Sequence, residues 1–164
     1  MTGQTPTFLV DEMLQRLGRW LRAAGYNTRI ATQATADYYL LRQAIDEGRL
    51  LLTCDRKLLE HRRAAGHVIL LSCGSLEQSI QDLTQQLQID WLYKPFSRCL
   101  VCNTPLLTAS PSQIQNAPAS VRERALPAQY CPHCQRVFWE GSHVKRMRHQ
   151  LDSWQHSQVA DLDA

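Results

Sequence analysis

The chain has no run of about 18 apolar residues, so no segment reads as a membrane-spanning helix. Its opening, MTGQTPTFLVDE, lacks the basic and apolar regions of a signal peptide. On that reading the protein is cytoplasmic and has no membrane partner, and structural disulfides are not expected. No DxD pair follows a strand, and no suitably placed acceptor Asp with a matching Lys is evident, which speaks against a phosphatase or receiver-like domain. Acids are scarce in one region: from Lys94 to Gln150, eight Lys and Arg face only Glu123 and Glu140. From Met1 to Tyr93 the balance is ten against ten, and the last fourteen residues hold three acids and no Lys or Arg. A neutral part followed by a basic part implies two modules, the second turned toward an anion.

What is present has a clear order. TFLVD (Thr7 to Asp11), NTRIA, RLLLT and HVILL read as four short buried strands. Between them, Met13, Leu14, Leu17, Trp20, Leu21 and Ala24 recur at helical spacing up to Gly25. Thr35 can cap a second helix with Leu40, Leu41, Ala44 and Ile45 on its inner stripe, and Gly48 ends it. Arg56 to Ala65 is expected as a third helix and Leu76 to Leu87 as the last. Strands alternating with helices give an α/β domain with a parallel sheet flanked by helices. The expected boundaries are 1–96 for this domain, 97–153 for a cysteine-rich module, and 154–164 for a disordered tail.

In the second module, Cys99-x2-Cys102 and Cys131-x2-Cys134 form two knuckles. Four thiolates so spaced suit one tetrahedral structural zinc, which a module without a large core needs as a staple. Redox pairs or buried free thiols are the other readings. His133 reads as a surface residue, and Cys54 and Cys73 as separate small residues at the core edge. A basic helix from Ser142, a possible cap, to about Ser153 closes the module. Phe138 and Trp139 either stack on bases or cover the metal.

The carboxylates carry the chemistry. Asp11 ends the first strand, Asp55 follows the third, and Asp37 falls in the first turn of the second helix. In a parallel sheet these positions gather along one edge. Taken singly, Asp37 and Asp55 read first as helix caps. Together they repel unless a divalent cation lies between them, and oxygen ligands favour Mg²⁺ or Mn²⁺. Such a cation positions a phosphodiester and activates water.

The segments FLVDEMLQRLGRWLRAAGYNT, ADYYLLRQAIDEGRLLLTCDRKLL, FSRCLVCNTPL and YCPHCQRVFWEGSHVKRM resemble the Mut7-C RNase domain family, a PIN-like nuclease domain followed by a zinc ribbon. The resemblance implies a metal-dependent ribonuclease, endonucleolytic in type, with acidic positions at Asp11, Asp37 and Asp55. RNA is then the partner. Arg16, Arg19, Lys145, Arg146 and Arg148 are candidate phosphate contacts. The chain departs from the PIN pattern where a fourth acid is common: Ser72 and Cys73 stand there, Tyr38 and Tyr39 follow Asp37, and Gln135 replaces a knuckle glycine. A non-catalytic RNA-binding adaptor with a degenerate site is the rival expectation.

Overall fold

A computed structural model of the chain describes residues 5–32, 36–123 and 127–162. It divides into two compact units, one formed by residues up to 22 and 26–90, the other by 23–25 and 91 onward.

The first unit is a parallel sheet of β1 (Phe8–Val10), β2 (Thr28–Ile30), β3 (Leu50–Thr53) and β4 (Val68–Leu70), in the order β2-β1-β3-β4. The helices α1 (Gln15–Ala24), α2 (Asp37–Asp46) and α3 (Leu76–Leu87) flank it. The central strands are apolar on both faces because helices cover both: Phe8, Leu9, Val10, Leu51 and Leu52 are buried. Leu9, Leu40, Leu41, Ala44, Leu51, Leu58 and Ala64 form one apolar cluster. A Cβ on Gly18 would lie 2.7 Å from Ile30, so a glycine lets α1 approach β2. At the sheet edge where β3 starts, Arg49 donates to the Phe8 and Asn27 carbonyls, each at 3.2 Å, and pairs with Glu47. That edge is a structural clamp.

One expectation of the first unit changes here. Arg56 to Ala65 is not an α-helix; only a 3₁₀ turn, Arg56–Glu60, forms. Leu58 is buried, but a helix would next present His61 and Arg62 inward, so no second apolar turn exists to bury. The Thr35 cap lies outside the described residues.

The second unit holds an antiparallel sheet, β5 (Leu107–Thr108), β6 (Ala128–Cys131) and β7 (Arg136–Trp139), in sequential order. Two short helices, α4 (Pro111–Ile114) and α5 (Ala119–Glu123), occupy the Ser, Gln, Pro and Ala-rich stretch. Ser110 caps α4 in a reciprocal box with Gln113. The last helix, α6, runs Ser142–Leu162, so the tail expected from residue 154 is helical as far as Leu162. Trp154 explains the extension: its ring lies 5.2 Å from that of Trp91, and Gln155 Oε1 accepts from the Trp91 amide at 2.7 Å. These contacts draw residues from Trp91 onward into the second unit. The Lys145 amide bonds to the Gly141 carbonyl, which makes Gly141 the cap and puts Ser142 inside the helix. Among the described residues, no helix is long and apolar enough to cross a membrane.

Candidate functional site

The order β2-β1-β3-β4 reverses direction between β1 and β3, and a parallel sheet opens a crevice at the carboxyl ends of strands flanking such a reversal. Asp11 leaves β1 and Asp55 follows β3 by two residues, so both stand at that crevice. Thr53, the fully buried last residue of β3, ties them together. Its hydroxyl donates to Asp11 Oδ2 at 3.0 Å and accepts from the Asp55 amide at 3.1 Å. Asp55 Oδ1 in turn accepts from the Lys57 amide at 2.8 Å, capping the 3₁₀ turn. The capping role is therefore real, and it uses one carboxylate oxygen.

Asp37 is the first residue of α2. Burial raises its carboxyl pKa above the ordinary value, a hydrogen bond with Asp55 raises it further, and so do the charges of Asp55 and Asp11. Lys57 opposes the shift. The three acids thus share one electrostatic environment. They are more open than a closed metal cage, since among the described residues only the cysteine cluster brings three or more ligand atoms within 4.8 Å of one another. Carboxylate oxygens that raise one another's pKa suit a hard divalent cation.

At the β4 exit, a helix supplies a carboxylate to the loop. Asp82 on α3 accepts from the Ser72 amide at 2.7 Å, and the Ser72 hydroxyl and amide hold its pKa below the ordinary value. This carboxylate fastens the β4 loop. Its place three residues after buried Ser79 was the available signal. Beside it, Cys73 is joined to Cys54 in a disulfide, with Cα atoms 5.8 Å apart. The two cysteines expected to stand separately instead link the loops after β3 and β4, one residue before Asp55. Sequence could not pair them, because 19 positions separate them.

The knuckle cysteines converge. Sγ of Cys99 lies 3.9 Å from Cys134, and Sγ of Cys102 lies 3.4 Å from Cys131. A tetrahedron with Zn–S bonds of about 2.3 Å has S···S edges of about 3.8 Å, so the donor set fits zinc. The two turns are built alike: the Asn103 amide returns to the Cys99 carbonyl at 2.9 Å and the Gln135 amide to Cys131 at 2.8 Å. Both residues have positive φ, 72° for Asn103 and 56° for Gln135, the strain expected where a glycine is replaced. Without a cation the cluster resists full ionisation. The hydrogen bond to Cys102 and burial push Cys134 up to about 12. Burial also raises Cys102, but bonds from Thr104 outweigh it and bring that thiol to about 6. A bound dication removes this conflict by favouring all four thiolates.

The cations expected to meet phosphate are distributed over both units. Arg16 and Arg19 are exposed on α1, and Lys145 and Arg146 are exposed on α6. Arg148 is half-buried: it lies 5.1 Å over the Phe96 ring and bonds Glu140 at 3.1 Å. Its guanidinium is already engaged within the second unit. Phe138 and Trp139 lie on β7, half-buried.

The profile of the Mut7-C RNAse domain family matches residues 6–151, nearly the whole chain. No curated protein and no solved structure matches it.

Proposed function

The chain belongs to the Mut7-C RNAse domain family and is ribonuclease-like in function; from that premise we propose a divalent-metal-dependent, PIN-like ribonuclease acting at Asp11, Asp37 and Asp55. The observation that carries the proposal is the placement of Asp11 and Asp55 at the sheet's reversal point, tied through Thr53, with Asp37 raised by burial and then by these two neighbours. Mg²⁺ or Mn²⁺ held by these side chains supplies charge neutralisation at the scissile phosphate and an activated water. Asp11 and Asp55 enter the site already oriented, because Thr53 fixes both from inside the core. Asp37 brings the third charge from the head of α2. The α6 cations Lys145 and Arg146 grip the RNA backbone through charge, with the cysteine cluster as a structural zinc site beneath them in sequence and function. Endonucleolytic cleavage follows the family resemblance.

The test is cleavage of labelled single-stranded RNA in Mn²⁺ by wild type and by Asp55→Asn. Asparagine keeps an oxygen for the Lys57 amide, so a pure cap loses little. The metal reading expects cleavage to disappear while folding and RNA binding persist. Asp11→Asn and Asp37→Asn are expected to match it, and combining them adds little, since residues acting as one unit are not additive. Wild-type cleavage by Asp55→Asn would overturn the metal site, whereas wild-type protein that binds the RNA in Mn²⁺ without cleaving it would favour the adaptor reading.

A further inference from the structure

Four of the nine arginines of the first unit are engaged with carbonyls or carboxylates. Arg22 Nε donates to the Thr28 carbonyl at 2.9 Å, Arg29 and Arg49 both bind Glu47 at 2.6 Å, and Arg42 pairs with Asp46 at 3.6 Å. Arg62 and Arg63 belong with exposed Arg16, Arg19 and Arg56 in the remainder, and are set apart by the groove they line. Both are exposed, and among the described residues no carboxylate lies within salt-bridge distance of either. They line a cavity of about 520 Å³ whose opposite wall is one stripe of α2: Tyr38, Leu41, Arg42 and Ile45. These four recur at i, i+3, i+4 and i+7, the spacing of a single helix face.

The two walls share an origin. Tyr38 directly follows Asp37, and the segment His61–Arg63 directly follows the 3₁₀ turn that Asp55 caps. With a rise of about 2 Å per residue, that turn spans roughly 10 Å from Asp55, and Arg62 and Arg63 follow its end. A stacked single strand covers this in about three nucleotides, at roughly 3.4 Å each. Cations on one wall face an aromatic ring and aliphatic side chains on the other. That combination suits a single strand, whose phosphates need charge and whose unpaired bases need a stacking surface. Tyr38 is 56% exposed, and its ring is braced edge-on by Tyr39 at 5.6 Å. In a duplex the bases are already stacked on one another and cannot reach it.

We propose that this groove holds the nucleotides flanking the cleaved bond of single-stranded RNA, a base against Tyr38 and phosphates against Arg62 and Arg63. The inference rests on the ribonuclease reading, for it takes the acidic crevice as the groove's starting point. It also explains the departure at Tyr38 and Tyr39, where acids would repel the strand and aromatic rings receive it.

The measurement is fluorescence anisotropy of a short labelled single-stranded RNA with full-length Asp55→Asn protein in Mn²⁺, across a salt series. Adding Arg62→Gln and Arg63→Gln is expected to weaken binding about tenfold or more and to flatten the slope of log affinity against log salt by about 1.4, or about 0.7 per phosphate contact. Tyr38→Ala is expected to weaken binding by a similar factor, and Tyr38→Phe to restore it. Melting curves establish that each variant is folded; the substituted side chains are exposed. Unchanged affinity and slope in the double arginine variant overturn the groove. Polyphosphate competing as well as RNA, with Tyr38→Ala silent, overturns base recognition in it. The two readings fail separately: persistent cleavage by Asp55→Asn alone removes the ribonuclease site, whereas an inactive Asp55→Asn with indifferent groove variants removes only the groove.

Discussion

Thr53 and Asp37 show how single residues set the chemistry. Thr53 offers one hydroxyl and uses it twice, as donor to Asp11 and acceptor from the Asp55 amide, so the acids reach the crevice preset. Asp37 meets them with its carboxyl pKa raised above 3.8 by burial and then by its two neighbours. A carboxyl whose folded pKa is raised binds protons more readily in the folded state than in the unfolded one. Metal-free stability therefore falls as pH rises from the unfolded value through the folded one, and stays lower above it. Asp37→Asn is expected to raise the metal-free melting temperature at pH 7, with the difference vanishing near pH 3. Mn²⁺ is expected to reverse the order, stabilising wild type and leaving Asp37→Asn unmoved. Melting curves in chelator and in Mn²⁺ at the two pH values decide it. A variant that melts like wild type in chelator at pH 7 would show that Asp37 is not under strain from its neighbours.

At the scale of elements, the Cys54–Cys73 bridge joins the loops after β3 and β4 and so holds the Asp55 side of the crevice to the Asp82-fastened side. Closing a loop of this length stabilises by roughly 3 kcal/mol, chiefly by limiting the unfolded chain. Cys73→Ser is expected to lose that amount in urea unfolding of oxidised protein and nothing when both proteins are reduced. If reductant leaves wild-type unfolding unaltered, the bridge contributes nothing in solution. The strands and α3 were legible from sequence because each has a strong local signal. Buried runs mark β1 and β3, and Ser75 caps a helix that runs Leu76–Leu87, the bounds its apolar spacing gives. The segment after Asp55 reads as a helix in sequence, but the absence of a second apolar turn leaves it a 3₁₀ turn. The end of α6 depends on Trp91, more than sixty positions away, and no local pattern carries that. The places of Asp11 and Asp55 were legible from strand exits and that of Asp37 from the first turn of α2. Their coupling through Thr53, the Asp82 contact and the groove at Arg62 and Arg63 are tertiary facts.

Over the whole molecule, the two units are stabilised in different ways. The first has a four-stranded sheet with apolar residues packed on it, whereas the second places Cys99 and Cys131 fully buried beside small strands. Four thiols at such distances cannot all ionise without a cation, so a metal bound there would make its binding and the folding of this unit one equilibrium. The basic excess between Lys94 and Gln150 is not an obstacle, since four thiolates with one Zn²⁺ subtract two charges and leave a surface that still attracts phosphate. One zinc per chain is expected after dialysis of protein purified without chelator. Three of the four tryptophans, Trp91, Trp139 and Trp154, belong to the second unit, and Trp20 to the first. Tryptophan fluorescence therefore reports chiefly on the metal-stapled part, while circular dichroism also sees the helices of the first. A strong zinc chelator, or Cys131→Ser, is expected to shift the fluorescence toward that of exposed indole while part of the helical signal keeps a cooperative melt. RNA affinity should fall with it, because Lys145 and Arg146 lose the unit that presents them. Protein that carries no zinc yet keeps its native fluorescence would mean that packing of Trp91 on Trp154 suffices without a metal.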